Sequence, residues 1–183
     1  MTALLSRIAA AGLLLLALVA GTGAAPLDAG QRSAIAERVS VLDAGMRASD
    51  MSQVMGLIPP KVMDKIASSN GMTSQALIEA SQQQIAEALK TIKIESFSMD
   101  LDAAEATLLP DGTSYVSIPT ETVFDLGPAG RQRSKTTTLA LLDEGVWYLM
   151  AVDNGPQLAI VKDVYPALAG VEIPAVSMEP VTE

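Results

Sequence analysis

Residues 114–152 read SYVSIPTETVFDLGPAGRQRSKTTTLALLDEGVWYLMAV, three strand-like runs separated by two glycine-containing turns. β-Branched and aromatic residues recur with the period of two expected of pleated strands. Gly127-Pro128-Ala129-Gly130 makes the first turn. Asp143-Glu144-Gly145 reads as a three-residue hairpin loop, with glycine where a positive φ is needed. Upstream, another alternating run, Lys93 to Leu108, enters through the turn Pro110-Asp111-Gly112. The strands Lys93–Leu108, Ser114–Leu126, Arg131–Leu142 and Val146–Val152 thus follow one another without a helix between them, which predicts an antiparallel meander.

Before Lys93 the periodicity is helical. Asp28 with Gln31 forms a capping-box pattern ahead of Ile35, Val39, Leu42 and Met46, one apolar stripe on a helix of about Ala29 to Ala48. Asp50 with Gln53 starts a short helix through Met51, Val54, Met55 and Ile58, stopped by Pro59-Pro60. Pro60 begins another, with Val62, Met63 and Ile66 inward and Asn70-Gly71 as a left-handed cap. Thr73 or Ser74 caps the next, whose inward set is Leu77, Ala80, Ile85, Ala88, Leu89 and Ile92. Beyond the strands, Leu158 to Tyr165 suggests a short closing helix. Helices first and strands afterwards give an α+β class, with N-terminal helices packed on an antiparallel sheet of about four strands. Residues 26–170 are read as a single domain and 171–183, with Pro174 and Pro180, as a loose flexible tail.

The first 25 residues, MTALLSRIAAAGLLLLALVAGTGAA, have the order of a secretory signal peptide: one charge at Arg7, an apolar run from Ile8 to Ala20, and small residues before Pro26. The run is shorter than the ~18 to 20 apolar residues that span a bilayer. Cleavage is expected near Ala24 or after Pro26, so the protein meets the membrane only during export. With no cysteine and no Asn-x-Ser/Thr sequon at Asn70 or Asn154, a bacterial periplasmic or secreted location fits best.

The formal charge of −9 disfavours nucleic acid and anionic membrane surfaces as partners. The absence of histidine removes Ser-His-Asp and Cys-His triads, an imidazole base and histidine-ligated zinc. There is no glycine-rich phosphate loop and no nucleophile elbow, and no cofactor or metal is expected.

Several side-chain groups invite a functional reading. A five-residue loop at Leu126–Gly130 sets Asp125 opposite Arg131 and Glu121 opposite Lys135, with Arg133 on the same face. This is a salt ladder or, in a functional reading, a small basic site. The strand around Trp147 is apolar on both faces, so each must be covered. Trp147 and Leu149 are expected to meet Leu139 and Leu141 beneath the chain's own tail or helix, or at a homodimer interface through the sheet. Met46, Met51, Met55, Met63 and Met72 form a methionine-rich helical half that serves as core or lines a cavity. Asp100, Asp102 and Glu105 read as a solvated strand edge rather than a calcium site.

The runs PDGTSYVSIPTETVF, SKTTTLALLDEGVWYLMAVDN and QLAIVKDVYPAL, with IPPKVMDKI earlier, resemble small exported domains of the nuclear-transport-factor-2-like superfamily. The resemblance rests on a Tyr-x-x-x-Pro strand at Tyr115 to Pro119, a Gly-x-Trp turn at Gly145 to Leu149, and a closing Asp153. It covers roughly Leu27 to Leu168. It implies a cone, with helices in the curve of a bent antiparallel sheet that often dimerises.

The expected function is a non-enzymatic exported domain that binds a small apolar ligand, a peptide or an envelope protein through the cone cavity or a sheet face. Met55, Met63, Trp147, Tyr148 and Met150 are the candidate ligand-binding residues. The alternatives are a cone-type isomerase or lyase using Tyr148 or Asp153 with Glu121, and a structural homodimer.

Overall fold

A computed structural model describes residues 24–48, 50–153 and 155–181. Most of the expected signal peptide therefore lies outside the described residues.

The helices begin where the capping residues place them. Helix α1 spans Ala29–Ala48, and its capping box closes in both directions. Gln31 N donates to Asp28 Oδ1 (2.8 Å) and Asp28 N to Gln31 Oε1 (3.1 Å). Helix α2, Met51–Met55, is capped by the Asp50 carboxylate accepting from Gln53 N. Helix α3, Pro60–Ser69, opens on proline, whose missing N–H costs nothing at a helix start. Helix α4, Ser74–Ala88, is capped by Thr73 Oγ1. A fifth helix, α5, covers Pro156–Val164.

The class is α+β, with one open antiparallel sheet. Among the described residues the sheet has seven strands rather than about four: β1 (Ala25–Pro26), β2 (Lys93–Met99), β3 (Glu105–Leu108), β4 (Ser114–Asp125), β5 (Arg131–Asp143), β6 (Val146–Val152) and β7 (Ser177–Pro180). Two long central strands, β4 and β5, are paired from Tyr115–Leu141 to Asp125–Arg131. Each carries two short strands end to end on its outer side. β3 and β2 lie along β4, and β6 and β7 lie along β5.

Three differences account for the larger strand count. The run Lys93–Leu108 is interrupted because the Asp100 carboxylate accepts from the backbone N–H groups of Asp102 and Ala103, folding residues 100–104 into a turn. Ala25 and Pro26 pair with Ala106 and Glu105. The C-terminal stretch read as a loose tail instead buries Val171 and Ile173 and adds β7 to β5.

The β5–β6 hairpin also departs from expectation. Asp143 pairs with Val146, so the loop is two residues, Glu144 and Gly145, both at positive φ (50° and 81°). These are the signs of φ that a type I′ turn requires. Relative to a three-residue loop this moves the register by one residue and exchanges the faces of β6. Leu139 and Leu141 therefore pair with Met150 and Tyr148, while Leu149 and Trp147 lie opposite Ala140 and Leu142. Trp147 and Leu149 do not meet Leu139 and Leu141.

Two hydrophobic clusters result, one on each side of the sheet. On one side α1 contributes Ile35, fully buried against Val116, Ile118, Ala140, Trp147 and Leu149. On the other, Val62 of α3 and Leu158 and Val161 of α5 cover Leu139, Leu141, Met150 and Val152, with Leu168, Val171 and Ile173 alongside. The chain's own helices and C-terminal segment thus cover both faces around Trp147. The passage from α2 to α3 runs past the outer edge of β6, where Leu149 N donates to Leu57 O at 2.8 Å. That contact gives an otherwise bare edge strand a backbone partner.

Helix α4 has no buried residue. Its apolar stripe, expected inward, is half-buried at Leu77, Ile85 and Leu89 and exposed at Ala80 and Ala88.

Candidate functional site

The register of β4 and β5 places two kinds of side chain on opposite faces. Arg131, Arg133 and Lys135 stand on one face. Ser134, Thr136 and Thr138 stand on the other, beside Thr120 and Thr122 of β4. Helices α1 and α2 cover the hydroxyl face incompletely, leaving a cavity of about 370 Å³. Its apolar wall comes from Met46, Val54, Phe97, Met99, Phe124 and Leu149, and its polar wall from the five hydroxyls. Among the described residues, no ionisable side chain lines it. The volume falls within the ~300 to 1,000 Å³ of small-molecule sites.

The deepest hydroxyls are satisfied internally. Thr120 Oγ1 lies 3.1 Å from Ile118 O and 2.9 Å from Thr138 Oγ1. A hydroxyl has one proton, so when Thr120 donates to the carbonyl, Thr138 donates to Thr120. Thr122 and Ser134 face each other across the strands, with Thr136 next along β5. All three line the cavity.

A second apolar groove of about 570 Å³ adjoins the cavity, sharing Met46 and Val54 with it. Met51, Ile85, Leu89 and Ile92 form its walls, and among the described residues Lys93 is its one ionisable lining residue. It is bounded by the stripe of α4 that stays only half-buried.

Of the five candidate ligand-binding residues, Met150 borders the cavity. Met63 is buried on α3 and Trp147 is buried among Ile35, Val116 and Ile118. Met55 is half-buried on α2 away from the cavity lining. Tyr148 lies on the other sheet face, opposite Leu141. Met46, read from the sequence as one of the methionines that form core or line a cavity, lines this one; the residues that sequence reasoning missed are Phe97, Met99 and Phe124 and the hydroxyl wall. The available signal was a run of Ser and Thr at alternate positions of β4 and β5, on the face away from the charges.

The acid–base set of the alternative reading is dispersed. Tyr148 is level with Leu141 and Glu121 with Lys135, six positions apart along β5, or about 20 Å at strand rise. Asp153 Oδ1 accepts from Gly155 N at the start of α5.

The charged ladder has the expected register, but its ion pairs run diagonally and outward. Arg133 Nε lies 3.0 Å from Glu121 Oε1, Arg131 pairs with Glu95 (2.6 Å), and Lys135 with Glu179 of β7 (3.3 Å). Asp102, in the turn after β2, pairs with Arg32 of α1 at 2.8 Å.

A third polar group ties the hairpin turn to the helices. The Asp143 carboxylate accepts from Tyr165 Oη (3.0 Å) and from Lys61 Nζ (2.9 Å), which also reaches Glu144 (3.1 Å). Burial, and then the hydrogen bond to Asp143, push the Tyr165 phenol well above its ordinary range. Such a tyrosine holds its proton, and its role here is to anchor.

Comparisons with protein families, curated proteins and solved structures found no match to this chain.

Proposed function

We propose that this is an exported, non-enzymatic binding domain, of the nuclear-transport-factor-2-like kind, whose cavity between α1, α2 and the sheet takes a small apolar ligand. The observation that carries the reading is the cavity wall, with methionine, phenylalanine and leucine on one side, neutral hydroxyls on the other, and no ionisable lining residue among those described. Such a wall rewards removal of apolar surface from water, at roughly 25 cal/mol per Å². It supplies neither a base nor an acid for proton transfer. The lining methionines adapt to ligands of differing shape.

Export is supported by the pattern of the first 25 residues. Among the described residues no helix is long and apolar enough to cross a membrane.

The test is a titration of the mature protein with a neutral naphthylamine dye whose emission rises in apolar surroundings. Saturable binding of one dye per chain is expected. No binding at any concentration short of dye aggregation would refute the reading.

A further inference from the structure

The geometry points to a specific ligand class: a single-chain amphiphile with an uncharged, oxygen-bearing head, such as a long-chain alcohol or monoacyl ester. This rests on the binding reading above and names the chemistry of the occupant.

The head is assigned by the hydroxyl wall. Thr120 and Thr138 are hydrogen-bonded to each other. Thr122, Ser134 and Thr136 complete the wall, and none of them shares in that bond. Hydroxyls facing an otherwise apolar space gain from a ligand oxygen that both accepts and donates. A carboxylate or ammonium group in the same place would lose its hydration with no opposite charge to meet it. A hydrocarbon would leave the hydroxyls facing apolar atoms.

The chain is assigned by the groove. It borders the cavity at Met46 and Val54, which line both, and is walled further by Met51, Ile85 and Leu89. One wall is the C-terminal end of α4, which among the described residues is the one helix of at least eight residues with an apolar stripe and yet no buried residue. An acyl chain laid against Ile85 and Leu89 removes that end of the stripe from water, and a linear molecule suits two neighbouring compartments that share Met46 and Val54.

Lys93 at the rim allows a competing orientation, with an anionic head outside and the chain end against the hydroxyls. The two orientations demand different ligands.

The experiment displaces the neutral dye from the mature protein with dodecanol, dodecanoate and dodecane. Dodecanol is expected to compete at concentrations about tenfold lower than either of the others, the effect of one to two neutral hydrogen bonds at ~1 kcal/mol each. The pair Ser134→Ala with Thr136→Val is expected to weaken dodecanol about tenfold and to leave dodecane unchanged. Dodecanoate binding as tightly as dodecanol, and losing that affinity in Lys93→Gln, would overturn the assignment in favour of the outward head. Equal binding of dodecane would overturn it as well. The wild-type ranking decides the point even if the double variant folds poorly. Failure of the dye itself to bind removes the binding reading and this inference with it. A dye that binds without the expected ranking removes the inference alone.

Discussion

Thr138, 2 % exposed, places its hydroxyl 2.9 Å from that of Thr120, on the diagonal two residues along β5 from Thr136, the direct cross-strand partner of Thr120. The proton arrangement makes the two residues unequal. Thr120→Val leaves the Thr138 hydroxyl buried without a partner, whereas Thr138→Val leaves Thr120 its bond to Ile118 O. The expected losses of stability are about 1 to 3 kcal/mol for the first and about 0.5 to 1.5 kcal/mol for the second. The double variant should lose no more than Thr120→Val alone. Urea unfolding of the three variants checks this, and equal or additive losses would count against the assigned bonds.

The type I′ turn at Glu144-Gly145 carries a glutamate at φ 50°, a conformation that asparagine, aspartate and glycine tolerate better. Glu144→Asn is expected to raise stability by a few tenths to about 1 kcal/mol, since the contact of Glu144 with Lys61 is exposed and worth little. Gly145→Ala should lower stability by about 1 to 2 kcal/mol, the penalty for an L-residue there. Thermal melts of the two variants moving in the same direction would contradict the two-residue loop.

The Asp143 cluster is expected to weaken the fold at alkaline pH. Tyr165 has its pKa raised in the folded state, so its contribution to stability is fully present below the unfolded value near ~10. It is lost as pH rises beyond that value, because the unfolded chain releases its proton first. Lys61, raised by its hydrogen bonds to Asp143 and then Glu144, acts in the same direction. Stability should therefore fall above about pH 10. Tyr165→Phe should be less stable at neutral pH, through loss of the bond to Asp143, and show a shallower alkaline decline. Parallel profiles for wild type and variant would show that Tyr165 is not the titrating group.

Ala25 and Pro26 pair with β3, which bears on where the expected leader is cut. Cleavage after Pro26 would remove that strand, so the mature chain is expected to begin at or before Ala25. Intact-mass analysis of protein exported by a bacterial host reads this directly, and a mature chain starting at Leu27 would contradict it.

Much of this was legible in the residues because local chemistry decides it. Asp28, Asp50 and Thr73 start helices through side-chain bonds to a backbone N–H three positions on, and Pro60 starts one through its fixed φ and missing N–H. The β4–β5 register follows from one glycine-rich turn between Asp125 and Arg131. What escaped depended on a single residue's conformation or on remote packing. Glu144 takes a positive φ that its residue type does not advertise, and that one residue exchanged the faces of β6 and misplaced Trp147 and Tyr148. Asp100 breaks an alternating run through two backbone bonds that periodicity does not register. Ser134 and Thr136 line a cavity because α1 and α2 lie over their face, a remote packing that alternation along a strand does not register.

Plugging the cavity from an exposed position tests the binding account most directly. Ala151 lines the cavity yet is exposed on β6, so Ala151→Trp can fill the space without replacing a core side chain. Leu108→Trp, at an exposed site on β3, is the control. Dye titration of both should show binding abolished in Ala151→Trp, with its melting temperature held, and unchanged in Leu108→Trp. Wild-type affinity in a folded Ala151→Trp would contradict binding in this cavity.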